Sequence, residues 1–194
     1  MPFGCGAKEG VIVSEVFERW NRIADAFTAR LEGVPPGAWS NPSPCPDWTA
    51  HDVAKHVIDV TRGLLTRLTG GDPTSPDTDE DLLTAWKIES DAVRAALADP
   101  ERAKTEVKGM GGTQPFEDLA GGVMCADTLI HTWDLARATG QDDRLDPEVM
   151  KAALEFLTPN DEMLRGSGSF ADKIEPPDGA DEQTRFLAFV GRKA

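Results

Sequence analysis

The sequence predicts an all-α protein, a bundle of four main helices with additional short helices. Three observations carry this expectation. Four long segments space their apolar residues by threes and fours, which lines one face of a helix. Glycine or proline follows each of these segments. Finally, no stretch alternates apolar and polar residues long enough to specify a half-buried strand.

The first helix is expected from Val13 to Leu31, with Val13, Val16, Phe17, Trp20, Ile23, Ala24, Phe27 and Leu31 on one stripe, and Gly33 and Pro35-Pro36 stop it. Residues 1–12 show no period and read as a loose arm. A turn-rich connection, P-P-G-A-W-S-N-P-S-P-C-P-D-W, leads to the second helix. There T-A-H-D places Thr49 at the N-cap and Asp52 three residues on, near the positive end of the helix dipole. The stripe Val53, Val57, Val60, Leu64 and Leu68 runs to Gly70-Gly71, and His56 projects on the same side. After the polar loop D-P-T-S-P-D-T-D, a third helix is expected from about Asp79 to Ala98, closed by Asp99-Pro100. The glycine-rich segment up to Phe116 has room for a small hairpin.

A fourth helix is expected from Phe116 to Thr139, with Gly140 as its stop. Its stripe of Leu119, Val123, Ala126, Asp127, Ile130, His131 and Asp134 carries three polar residues on an otherwise apolar face. Asp146-Pro147 reads as an N-cap followed by proline at the first helical position, opening a helix from Pro147 to Leu157. The tail from Thr158 has no clear period until a last short helix from Asp181 to Val190. There is no internal repeat, and residues 1–194 are expected to make a single domain.

The formal net charge is −14, so phosphate backbones are repelled and nucleic acid is not expected as a partner. The same field disfavours anionic lipid, and no apolar run approaches the roughly 20 residues needed to span a bilayer. The start M-P-F-G-C-G-A-K-E-G lacks a basic segment followed by an apolar one, so a cytoplasmic protein is expected. Cys5, Cys45 and Cys125 are odd in number and far apart, which argues against a disulfide framework. Cys45, just before a helix start, has two readings: an activated thiolate, or a small half-buried turn residue, the reading favoured. Cys125 reads as packing.

The candidate site is His56, Asp127 and His131. Asp127 and His131 are four apart on one helix face, close enough to reach one ion. The third ligand must come from another helix, and among the three histidines His56 fits; His51 lies about 140° away around the helix. Two imidazoles and one carboxylate suit Zn²⁺, Ni²⁺ or Fe²⁺ and leave a position open. Asp134, three after His131, and Asp59, three after His56, are candidates to hold the imidazole N–H groups. A D-x-x-x-H spacing also arises in surface pairs and in hydrogen-bonded core histidines, so spacing alone leaves a structural role open. Trp48, Trp86 and Trp133 read as core or rim residues, with pocket lining as the alternative.

At these residues the chain resembles a known family. P-C-P-D-W-T-A-H-D-V-A-K-H-V resembles the helix-two entry of the mycothiol-dependent maleylpyruvate isomerase N-terminal domain. D-T-L-I-H-T-W-D-L-A-R-A-T-G resembles that family's second motif, usually E-x-x-x-H followed by W-D-L. The ending D-E-Q-T-R-F-L-A-F-V-G-R is similar to the close of an actinobacterial subgroup of metal-binding proteins in the same superfamily. The resemblance, from Val13 to Arg192, implies a DinB-like four-helix bundle with a metal triad of His, Glu and His. The matching positions are His56, Asp127 and His131, with Asp, one methylene shorter, where Glu is usual. The isomerase has a further C-terminal domain for substrate, so maleylpyruvate isomerisation itself is not expected to transfer.

Three functions follow as expectations. In the first, the bundle is an enzyme whose metal activates a low-molecular-weight thiol, mycothiol if the source is actinobacterial, for attack on an electrophile, making it a thiol transferase or isomerase. In the second, the same fold holds a metal or small ligand without turnover. In the third, it is a helical interaction protein with no metal. Exposed bundle faces also leave room for a homodimer.

Overall fold

The computed structural model describes residues 14–71, 81–109, 111–166, 168 and 170–194. The expected first turn at Val13, the arm 1–12 and the expected start of the third helix at Asp79 lie outside them. The architecture is a mostly helical bundle with a very small hairpin, as expected.

Four helices form the bundle: α1 (Glu15–Glu32), α2 (Ala50–Thr69), α3 (Leu82–Ala98) and, further along the chain, α6 (Cys125–Thr139). Both α1 and α2 pack against α3 and against α6, so the neighbours run α1, α3, α2, α6 around the core. Apolar stripes make this arrangement favourable, because each helix buries one face and leaves a polar one outside. At the centre Trp86 packs on Trp20 and Phe27, with ring centroids 6.0 and 4.8 Å away. Neither indole is left unsatisfied: Trp20 Nε1 donates to the Ser90 carbonyl at 3.2 Å and Trp86 Nε1 to Thr28 Oγ1 at 2.9 Å.

The helix starts follow their sequence signals. Ser14 caps α1 by accepting from the Phe17 amide. The expected box at α2 forms in full: Thr49 Oγ1 accepts from the Asp52 amide at 3.2 Å, and the Asp52 carboxylate accepts from the Thr49 amide at 2.8 Å. Thr49→Ala removes one capping acceptor and is expected to cost about 1 kcal/mol, read as a shift in the urea midpoint at unchanged m-value.

Beyond the third helix, Asp99-Pro100 does end α3, but Asp99 at once caps a further turn, α4 (Pro100–Ala103). The hairpin forms from β1 (Glu106–Lys108) and β2 (Thr113–Pro115), paired antiparallel. The expected fourth helix is not uniform: α5 (Phe116–Leu119) passes through a π turn at Ala120–Met124 before α6 begins. Gly121-Gly122 lies in that turn, where a Cβ on Gly122 would sit 2.6 Å from the Phe156 ring. The π turn and the close approach of Phe156 are therefore linked, because the bare backbone leaves room for the ring.

The helix α7 (Pro147–Leu157) spans the expected residues, with the Asp146 carboxylate capping its first turn. The tail is more ordered than its lack of period suggested. It contains α8 (Asp161–Gly166), and α9 (Glu182–Phe189) follows behind the N-cap Asp181. Among the described residues, no helix is long and apolar enough to cross a membrane.

Candidate metal centre

The three sequence-predicted side chains meet. His56 comes from the inner face of α2, and Asp127 and His131 come from successive turns of α6. His56 Nε2 lies 3.3 Å and His131 Nε2 3.6 Å from the same oxygen, Asp127 Oδ1. The two imidazole rings are edge to face with centroids 4.7 Å apart. Donor atoms from all three residues lie within 4.8 Å of one another.

These separations fit a shared ion. Tetrahedral ligation with bonds of about 2.0–2.2 Å keeps donors roughly 3.3–3.6 Å apart. As simple hydrogen bonds the same contacts are long. Among the described residues, buried Asp127 Oδ2 has no hydrogen-bond partner. A buried carboxylate oxygen without a partner is costly, and a cation beside it removes that cost. The His56 imidazole feels the same carboxylate. Burial pushes its pKa down, but the hydrogen bond and charge of Asp127 outweigh this and leave it raised.

Behind His131 lies a second layer. His131 Nδ1 is 2.9 Å from Asp134 Oδ2. Burial would raise the Asp134 pKa, but hydrogen bonds from His131 and Arg192 more than offset this and hold it at about 2. An ionised Asp134 can only accept, so it favours the tautomer with the proton on Nδ1, the one that offers Nε2 for ligation. Arg192 grips Asp134 with a two-pronged contact, Nε to Oδ1 and Nη2 to Oδ2, both at 2.9 Å. Asp59, the other candidate for an imidazole partner, instead pairs with Lys55 and Arg62.

Cys45 joins this layer. The turn Cys45–Trp48 is closed by the Trp48 amide on the Cys45 carbonyl, at 3.2 Å, and the Ser43 amide on the Trp48 carbonyl, at 2.8 Å. That turn sends Cys45 inward and lays Trp48 over both histidines, with centroids 4.8 Å from His56 and 5.9 Å from His131. Cys45 Sγ donates to Asp134 Oδ2 at 3.2 Å and accepts from Arg192 Nη2 at 3.1 Å. Burial, and then the charge of Asp134, push the Cys45 thiol up to about 12. Cys45 is thus a neutral thiol rather than an activated thiolate, and it is more deeply buried than a half-buried turn residue.

Cys45, His131 and Asp134 form a second buried group whose donor atoms lie close enough to hold an ion. In that group, however, Arg192 already neutralises the carboxylate and His131 offers its protonated nitrogen. The first group has no such competing cation. His51 takes no part; it sits edge-on to Trp39 at 6.3 Å. Cys125 is core, Trp86 and Trp133 are core, and Trp48 alone of the three highlighted tryptophans lines the site.

Arg192 is the residue that sequence reasoning passed over as a functional side chain. Its signal was the G-R step after the last apolar run. Gly191 has φ +75°, and a Cβ there would lie 2.7 Å from both Ala171 Cβ and the Asp172 carbonyl oxygen. Only glycine makes that turn without strain, and the turn brings Arg192 back to the site. Gly191→Ala is expected to cost about 2 kcal/mol by strain and crowding, measured by thermal or urea denaturation.

The whole assembly closes one end of a cavity of about 560 Å³ between α2 and α6. The fold and the site geometry together describe a class: a helical bundle in which His56, Asp127 and His131, from two helices, meet beside a largely apolar cavity. Comparison with known proteins shows the family. Residues 20–136 match the mycothiol maleylpyruvate isomerase N-terminal domain family, and the chain belongs to it. Two uncharacterized proteins of Mycobacterium tuberculosis, MT0763 of strain CDC 1551 / Oshkosh and Rv0738 of strain H37Rv, are each 32% identical over 182 residues, covering 88% of this chain and 94% of theirs. No solved structure matches the chain significantly.

Proposed function

We propose that this protein binds one divalent metal ion through His56, Asp127 and His131 and uses it in thiol-dependent chemistry on an electrophile, as a transferase or isomerase. The observation that carries this reading is the convergence of the three donors around the orphaned, buried Asp127 Oδ2. The family's name, mycothiol maleylpyruvate isomerase N-terminal domain, suggests the thiol. A divalent ion held there supplies a Lewis acid that lowers the pKa of a thiol at its open position.

The chain's own residues prepare that position. Asp134 holds the Nδ1 proton of His131 and keeps Nε2 free for ligation. Trp48 covers both imidazoles and limits water at the ligands. The apolar cavity wall strengthens the electrostatics of the donor set, because field lines there are poorly screened. Burial and the charge of Asp134 hold the Cys45 thiol pKa at about 12, which supports the small-molecule thiol as the source of the nucleophilic sulfur.

Two measurements test the proposal. Elemental analysis of the untreated protein is expected to give about one divalent ion per chain. Metal-loaded protein, offered a thiol and simple electrophiles, is expected to form the thioether or isomerised product faster than thiol alone. One ion per chain with no acceleration over several metals and electrophiles would leave a binding protein without turnover. Absence of any metal would end the reading.

A further inference from the structure

The cavity has a shape and a polarity that name a ligand class. Along α2 its wall is formed by His56, Val60, Leu64 and Arg67, one residue per turn on a single face. Eleven residues at 1.5 Å each put Arg67 about 16 Å from His56 along the helix axis. The opposite wall runs from Leu119 to His131 through the π turn, toward the metal end as α2 runs away from it. The cavity is therefore a slot with α2 on one side and the Leu119–His131 run on the other, closed over by residues of α7, α8 and the chain's last segment, with His56, Asp127 and His131 toward one end and Arg67 toward the other.

Between those ends the lining side chains are aliphatic or aromatic, with Phe156 and Phe170 among them. Asp127 is the acidic side chain of the lining. Arg67 is exposed, and it donates one N–H to the Lys108 carbonyl at 2.8 Å. Among the described residues no carboxylate pairs with it. A guanidinium with no carboxylate partner among the described residues, at the mouth of an apolar slot, stands out in a chain of net charge −14. Burying a sugar or a small diacid in the slot would strand its polar groups without partners. An apolar chain loses nothing there, and an anion at its end gains Arg67.

We propose that the slot binds an extended hydrocarbon chain ending in a carboxylate, with the carboxylate at Arg67 and the far end of the chain at the metal centre. The slot's binding of the chain is independent of the metal; only the placing of its far end beside a metal rests on the function proposed above. A chain advancing about 1.2 Å per bond, as an extended backbone does, spans about 16 Å in about thirteen bonds, or roughly fourteen carbons.

The test is calorimetric titration of the full-length protein with straight-chain alkanoates from hexanoate to hexadecanoate, and with dodecanol. Affinity is expected to rise about fourfold per methylene and to stop rising at roughly fourteen carbons. Arg67→Ala is expected to weaken dodecanoate about fivefold and leave dodecanol unchanged. Affinity independent of length, or still climbing at hexadecanoate, would overturn the slot. An Arg67→Ala protein that binds dodecanoate normally would overturn the placement of the carboxylate, as would loss of binding in His131→Ala alone. The series repeated on metal-free protein separates the two proposals: unchanged alkanoate binding in a protein that never takes up metal would end the metal reading and leave the slot standing.

Discussion

Replacing His131 with alanine is expected to abolish stoichiometric metal binding while leaving the helical bundle folded. Losing a hydrogen-bond partner behind a ligand costs about 10–100-fold in metal affinity, and losing the ligand itself costs more. Two donors from separate helices would remain, His56 on α2 and Asp127 on α6, with nothing to hold Asp127 Oδ1 between two imidazoles. The check is cobalt or zinc titration with circular dichroism on the same sample. Wild-type affinity in a folded His131→Ala protein would remove this residue from the site. Such a result would point to the group of Cys45 and Asp134 only if Cys45→Ala then lost the metal.

The second large effect is expected at Arg192. Asp134 is fully buried, and Arg192 supplies two of its contacts. Arg192→Ala leaves that carboxylate with His131 and Cys45 only, and breaking a buried pair in this way costs about 3–5 kcal/mol. The loss is read from the urea midpoint. Metal affinity is expected to fall with it, by about 10–100-fold, because Asp134 then no longer holds the His131 ring in one orientation. A merely structural role for Arg192 would lower stability and leave the affinity of the folded protein unchanged. Asp134→Asn should show the same fall in affinity, since the amide turns donors as well as an acceptor toward His131 and Arg192.

Much of this protein was legible in its sequence because the signals are local. Apolar residues at three- and four-residue steps set α1, α2, α3 and α6, and the Thr49–Asp52 box and the Asp146-Pro147 step marked where helices start. The inward histidines and the i,i+4 spacing of Asp127 and His131 are also helix geometry, so the candidate ligands could be named before any fold was seen. Where local signals fade, the reading faded too. The π turn before α6 depends on a ring from α7 filling the space beside Gly122, and α8 has no clear apolar period.

The sequence by itself determined the helices, their buried faces and the three candidate ligands, because each rests on periodicity within one segment. Tertiary structure decided which atoms meet. It brought Arg192 from the chain's end onto Asp134, took Asp59 away to Lys55 and Arg62, and made Cys45 a buried neutral thiol. It also opened a slot between α2 and α6 that ends on the donor set. These are contacts between residues up to 147 positions apart, such as Cys45 and Arg192, and helical spacing carries no information about partners at that separation.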